Sequence, residues 1–429
     1  MIAFESAPFT AFHRRVALSG AGGSFSDGYS LGIVGIALTL AKGPLGLTAW
    51  WMGAVGAASL IGIFLGCLVA GAMSDRLGRR PVFIWGMLVF TLFAILQYRS
   101  ASMYELFFWR LLLGVALGAD YVSCEAIVSE YSPTVRRGQL LSVLAIAWTA
   151  GYLSSFIVGY LIRGNGPDAW RIVLLTCAVP SLITFLLRFN IPESPVWLTC
   201  QGKFNKARDI IAQHIGPGIA LPLVSTLAST KPGTLTTLFK PPLRRNLIVG
   251  CVFHTSQVIP WFALGTFLPI VLAKLNVGDG YTGALVYNIL LMLGGLMGML
   301  VIDRIPRRTF LIQGFVVMAV FLAILISWRT APALAIIPLF AAFAFVMSAA
   351  GILQNVYPPE LFPTELRSRG IGATIACSRT GSACSTFLLP VVVQEYGVYV
   401  ALGACMAVCI VAALVCQFWA PETLNKQLV

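Results

Sequence analysis

Twelve apolar runs, each long enough to cross a bilayer, punctuate this chain of 429 residues. They lie near 16–41, 50–73, 82–98, 103–131, 139–162, 171–190, 246–273, 281–302, 309–328, 332–357, 369–394 and 398–420. A helix needs about 20 apolar residues to span the hydrocarbon. Lipid offers no partner for backbone N–H and C=O groups, so such runs fold as helices. The two-residue alternation of a membrane barrel is absent from them. Composition agrees, with 58% hydrophobic and 10% charged residues, against about 25% charged in soluble domains. The expected fold is therefore an all-α membrane protein with twelve transmembrane helices. Val16–Ala41 exceeds the apolar core of a signal peptide and reads as the first membrane helix.

A net charge of +13 would fit nucleic acid if it were clustered, and it is not. With the N-terminus inside, 21 of the 29 Lys and Arg residues fall at cytoplasmic ends, Arg188 among them, and six fall outside. Arg110 and Arg379 lie within membrane segments. That is the positive-inside bias, and it predicts both termini in the cytoplasm. The short loops fit a bacterial inner membrane. The ten cysteines sit almost entirely in apolar runs without CxxC or Cys/His spacing, so no disulfide framework or metal site is expected.

The chain repeats itself. "DRLGRRP" at Asp75 returns as "DRIPRRT" at Asp303, an offset of 228. "EYSPTVRRG" at Glu130 returns as "ELFPTELRSRG" at Glu360, and "PES" at Pro192 as "PET" at Pro421, offsets of 230 and 229. A polar stretch separates six helices from six. The expected organisation is a six-helix bundle over 1–191, a central cytoplasmic loop over 192–245 and a second bundle over 246–429. Duplicated bundles with a site near the midplane are a transporter architecture.

These motifs carry a resemblance. "GAMSDRLGRRP" resembles the loop motif between helices 2 and 3 of the major facilitator superfamily. "RLLLGVALGADY…SEYSPTVRRG", "IPESPVWL" and "PELFPTELRSRG" are similar to its sugar-porter-like branch, and "HRRVALSGAGGSFSDGYSLGIVGIAL", "TSQVIPWFALGTF" and "SRTGSACSTFLLP" resemble bacterial metabolite transport proteins of that branch. "DGY" and "SRTG" also resemble aromatic-acid:proton symporters, although Ser30 stands where their second helix-1 Asp would be. "GADY" resembles phosphate:proton symporters. Sugar porters carry a Gln in helix 5 and a Gln-Gln…Asn cluster in helix 7; here helix 7 reads "FHTSQVIPWFALG" with the lone Gln257. A hexose site of the usual kind is not supported by these residues. The resemblance implies conformational charge networks at the helix ends, formed by Asp75, Arg76, Arg79, Arg80, Arg110, Glu130, Arg137, Asp303, Arg304, Arg308, Glu360 and Arg367. Acids interleaved with the bases favour a latch, because topology alone needs only Lys and Arg.

An acid at the centre of a membrane helix costs about 2.5–3.5 kcal/mol on insertion scales, so it needs a reason to be there. Asp27, Asp120 and Glu125 are the central acids, and are the proton-coupling candidates because a carboxyl in a low-dielectric cavity exchanges a proton near neutral pH. Glu125 lies about 140° around the helix from Asp120 and cannot share its face. Gly114 and Gly118 are expected to narrow helix 4 beside Asp120. The first expected partner of Arg110 is Asp27. Arg379 is the expected seat of an anionic substrate, since a guanidinium holds a carboxylate with two parallel hydrogen bonds. Gln257, Trp261, Asn355, Tyr29 and Trp148 complete the substrate-binding candidates, with His254 as a weaker one. Pro260, Pro269, Pro358 and Pro359 are expected to free carbonyls near the cavity.

The function expected from these residues is secondary active transport of a small organic metabolite, an anionic carboxylate, with protons and by alternating access. A sugar or polyol porter is the alternative; drug efflux and a membrane sensor are weaker readings. The expected partners are the substrate, protons and the lipid bilayer, with no nucleic acid and no cofactor beyond the proton gradient. The chain is expected to be a monomer. No nucleotide-binding loop or nucleophile elbow points to an enzyme.

Overall fold

The apolar runs fold into helices. The computed structural model describes residues 2–222, 238–241, 243–275, 280–302, 304–362 and 367–423. In the first part of the chain these are α1 (Ala11–Ala41), α2 (Ala49–Leu77), α3 (Arg79–Tyr98), α4 (Met103–Tyr131), α5 (Thr134–Ile162), α6 (Ala169–Leu175), α7 (Ala178–Arg188), α8 (Pro195–Cys200) and α9 (Phe204–His214). The second part has α10 (Leu243–Thr266), α11 (Leu268–Lys274), α12 (Gly280–Val301), α13 (Arg307–Ser327), α14 (Ala333–Gly351), α15 (Leu353–Leu361), α16 (Arg367–Glu395) and α17 (Val398–Trp419). Twelve segments among the described residues are long and apolar enough to cross a membrane.

The sixth and tenth segments are broken, the sixth at Thr176–Cys177 and the tenth at Ile352, and proline chemistry accounts for the first. Pro180 has no N–H to give the Thr176 carbonyl, and α6 ends just before it. Pro358 likewise leaves the Gln354 carbonyl without a helical partner, inside the short α15.

By packing, the chain divides into two units: Met1–Ile33 with Ala58–Ala228, and Val34–Ala57 with Ser229–Val429. In the first unit α2 and α4 touch backbone to backbone. A Cβ added at Gly62 or Gly66 would overlap the carbonyls of Leu111 or Val115, and one at Gly114 or Gly118 those of Ser59 or Ile63. Small residues at four-residue spacing allow such approach in membrane helices. Gly114 and Gly118 narrow α4 on the side that meets α2. In the second unit the 34–57 segment meets α10 and α16, where Gly53 approaches the Phe387 carbonyl.

This contact is testable by a matched pair. Gly66→Ala should lower stability by about 1–3 kcal/mol through overpacking. Gly86→Ala, where an added Cβ meets nothing within 4 Å, should be neutral or stabilise by about 0.4–1 kcal/mol. Thermal unfolding in detergent reads both, and equal shifts would refute the close packing.

Candidate functional site

A buried ion cluster lies inside the first unit. Arg188 closes α7, and its side chain is fully buried, as is Asp120 of α4. The guanidinium Nη1 bonds Asp120 Oδ1, and Nη2 donates to Asp120 Oδ2 at 3.1 Å. Nη1 also donates to the Phe83 carbonyl at 2.8 Å, and Nε to the Ser19 carbonyl at 3.2 Å. The guanidinium lies 3.8 Å from the centre of the Phe83 ring. Asp27 of α1, 1% exposed, is within electrostatic reach of both Asp120 and Arg188. The room for this cluster comes from Gly23, where any Cβ would overlap Arg188 Nη2 and Asp120 Oδ2. Arg188 was counted above among the cytoplasmic-end cations. That assignment is corrected: its long stem carries the charge back into the bundle rather than out to water.

Arg110 is also fully buried, but both terminal nitrogens point at the Ser30 carbonyl, each at 3.4 Å. The expected Arg110–Asp27 pair is not what the structure builds. Ser30 lies three residues beyond Asp27, about 4.5 Å further along the helix axis, and that shift aims Arg110 at backbone instead of carboxylate. Glu125 is exposed and stands outside the buried cluster.

The remaining first-unit candidates are bonded within the protein. Tyr29 donates its hydroxyl to Thr176 Oγ1 at 2.9 Å. Trp148 Nε1 donates to the Tyr121 hydroxyl at 2.5 Å, and its ring stacks on Tyr152 at 5.5 Å.

In the second unit α10, α14 and α16 gather a polar site. Gln257 donates Nε2 to the Met347 carbonyl at 2.6 Å, while its buried Oε1 has no hydrogen-bond partner among the described residues. Gly351 lies against Gln257 and Trp261. His254, 8% exposed, lies by the Gln354 backbone and within electrostatic reach of half-buried Arg379. The structure thus brings together Gln257 and Trp261, with Arg379 near His254. The Asn355 side chain lies outside the described residues.

The helix-end charges form a knot that occurs twice. Glu193 of "PES" caps α3, accepting from the amides of Arg79 at 3.0 Å and Arg80 at 3.1 Å. Arg79 Nε meets Glu130 at 3.2 Å, and Arg80 Nε donates to the Ile191 carbonyl at 2.9 Å. In the second unit Glu422 of "PET" caps α13 from the amides of Arg307 at 2.9 Å and Arg308 at 3.1 Å. Arg307 Nε lies 3.7 Å from Glu360, and Arg308 bonds the Gln417 carbonyl. A carboxylate there satisfies orphan amides and complements the helix dipole. Arg76 and Arg304 are exposed. Asp303 lies outside the described residues, as do the side chains of Asp75, Arg137 and Arg367.

Known proteins match this architecture along its whole length. The family described as "Sugar (and other) transporter" matches residues 16–429. The chain belongs to this family of sugar and other transporters. It is 36% identical to the inner membrane metabolite transport protein YgcS of Escherichia coli, over 98% of this chain and 94% of that one. It is 27% identical to the arabinose-proton symporter of Bacillus subtilis, over 95% of this chain and 92% of that one. The fold is that of the xylose transporter XylE of E. coli in a partially occluded inward-open form. The TM-score is 0.78 at 20% identity, covering 98% of this chain and 100% of that one. This family member therefore has the major facilitator fold, is an integral membrane protein, and is a transporter rather than an enzyme.

Three residues escaped the sequence reading: Arg188, Glu193 and Glu422. The recurrence of "PES" as "PET" at the repeat offset already marked the two glutamates. Nothing in the sequence marks the inward turn of Arg188.

Replacing Glu193 or Glu422 by Ala strands two helix-start amides. Each variant should lose about 0.5–2 kcal/mol, the usual cost of a lost cap. Thermal unfolding in detergent checks this; an unshifted midpoint in both would remove the caps from the account of stability.

Proposed function

We propose that this family member is a proton-coupled symporter that takes up a small organic carboxylate by alternating access. The observation that carries the proton coupling is the buried cluster of Asp27, Asp120 and Arg188. Two acids and one base out of reach of water hold a negative charge that a proton can neutralise. A proton entering with a monoanion makes the translocated pair neutral, so the membrane potential does not oppose uptake. Half-buried Arg379, within electrostatic reach of His254, supports an anionic substrate, because a guanidinium pairs bidentately with a carboxylate. The positive-inside bias supports cytoplasmic termini. The chain acts as a monomer powered by the proton gradient, with no other cofactor.

The second reading is a sugar or polyol:proton symporter. The names of the arabinose-proton symporter and of XylE favour it. The unfilled Gln257 Oε1 beside Trp261 supports it chemically, since an amide reads hydroxyl groups and an indole packs on a sugar face.

Proteoliposomes with an imposed pH gradient, offered a panel of small organic acids, pentoses, hexoses and polyols, separate the two. The expected result is gradient-driven accumulation of an acid, lost in Arg379→Ala and uncoupled from the gradient in Asp27→Asn. Accumulation of sugars alone, abolished by Gln257→Ala and indifferent to Arg379→Ala, would select the second reading.

A further inference from the structure

Where α1 starts and α7 stops, two arginines stand without an acid. Arg14 and Arg15 are exposed, and neither forms an ion pair among the described residues. The ionisable neighbour of Arg15 is His214 of α9, a further base rather than an acid. Successive helix residues are about 100° apart, so Arg14 and Arg15 flank the line that joins Ala11 to Leu18. These four residues, with Ser19 and with Leu187 of α7, line a groove of about 340 Å³. Its rim is cationic and its floor apolar, with Leu18 65% exposed and Leu187 48%. On α7 the apolar surface continues through exposed Leu186 and Ile183. Arg188, next to Leu187, turns inward to Asp120 and leaves the groove to Arg14 and Arg15. Ser19 gives its carbonyl to Arg188 Nε at 3.2 Å, so the groove backs onto the buried ion pair.

We propose that this groove seats an anionic glycerophospholipid, its phosphate between Arg14 and Arg15 and an acyl chain along Leu18, Leu187 and Leu186. A guanidinium matches phosphate geometry and bonds it through two nitrogens. Membrane topology asks for positive charge near the lipid, but not for an apolar groove beneath it. A free phosphate satisfies the arginines and leaves the leucines uncovered. A zwitterionic lipid covers the leucines but brings its own cation to the phosphate. An anionic lipid supplies both halves, as basic pockets between membrane helices require. Seated there, it bridges the first turns of α1 to the last turn of α7, the segments that the Arg188–Ser19 bond already joins. The site lies outside the transport reading, and its test uses no substrate.

Thermal unfolding of the full chain in detergent, with dioleoylphosphatidylglycerol added in steps, reads occupancy, because a ligand of the folded state raises the midpoint. Wild type should show a saturable rise that dioleoylphosphatidylcholine or inorganic phosphate at the same concentrations does not give. Arg14→Gln/Arg15→Gln should need about 30-fold more phosphatidylglycerol for half of the rise, about fivefold for each arginine. Ala11→Glu keeps both arginines and places a competing acid at a helix start, where acids are favoured. It should weaken the response as well, and it covers the case in which the double variant fails to fold. Lys206→Gln/Arg208→Gln removes the same charge from exposed positions on α9 and should respond as wild type does. An equal rise with phosphatidylcholine overturns the proposal, and so does a wild-type response in either folded groove variant. A response lost in the α9 variant overturns it too, by making net charge the cause. A rise with inorganic phosphate alone overturns the lipid assignment.

Discussion

A charge carried into a lipid-embedded bundle must find its opposite inside the bundle, because water is not there to screen it. In the first unit that constraint is met by Arg188 and Asp120, which tie α7 to α4 while the same guanidinium takes carbonyls from α1 and α3. Four helices thus meet at one side chain. The small residues on α1 follow from it: Gly23 leaves room for the pair, and the neighbouring Gly22 meets Thr184 of α7. Asp27 sits at the edge of this arrangement as the acid left over, and the proposed transport chemistry grows from that surplus.

A different device operates where the helices end. Each unit ties the start of one helix to a glutamate that follows its last apolar segment, Glu193 to α3 and Glu422 to α13. An arginine at that helix start then reaches a second glutamate, Glu130 or Glu360. The two capping glutamates accept from backbone amides and Glu130 from the Arg79 guanidinium, charge-assisted hydrogen bonds, whereas Glu360 accepts from the Thr423 hydroxyl and meets Arg307 as an ion pair at 3.7 Å.

The fold was legible in the sequence because lipid leaves the chain so little choice. Twelve runs of sufficient length predict twelve helices, and twelve segments among the described residues meet that description. The buried acids were legible too, since Asp27 and Asp120 stand alone in apolar surroundings. Pairings were not. Periodicity reports which residues share a face of one helix, but not how far two helices slide along each other. A displacement of one turn moved Arg110 from Asp27 to the Ser30 carbonyl. Arg188 was illegible for a related reason. It ends an apolar run just before "FNIPES", where a long cationic side chain can reach either outward or inward. Only the presence of Asp120 across the bundle decides the direction.

The repeat also shows which parts of the architecture had to stay alike. At the offset of 229 that relates "PES" to "PET", the end-of-helix glutamates correspond, and so do the knots they tie. The interior does not correspond. Asp27, Asp120 and Arg188 map onto Ser256, Ala349 and Gln417, while Gln257 and Arg379 map back onto Gly28 and Ala150. The two units therefore share the chemistry that fixes helix ends and differ in the chemistry buried within each. An interior ion pair duplicated into both units would carry its desolvation penalty twice without adding a new role. In the proposed reading, acids with a locked counter-ion lie in one unit, and an amide, an indole and a guanidinium lie in the other. Such a division lets a proton and a substrate be bound by different groups, which is the minimum that coupling requires.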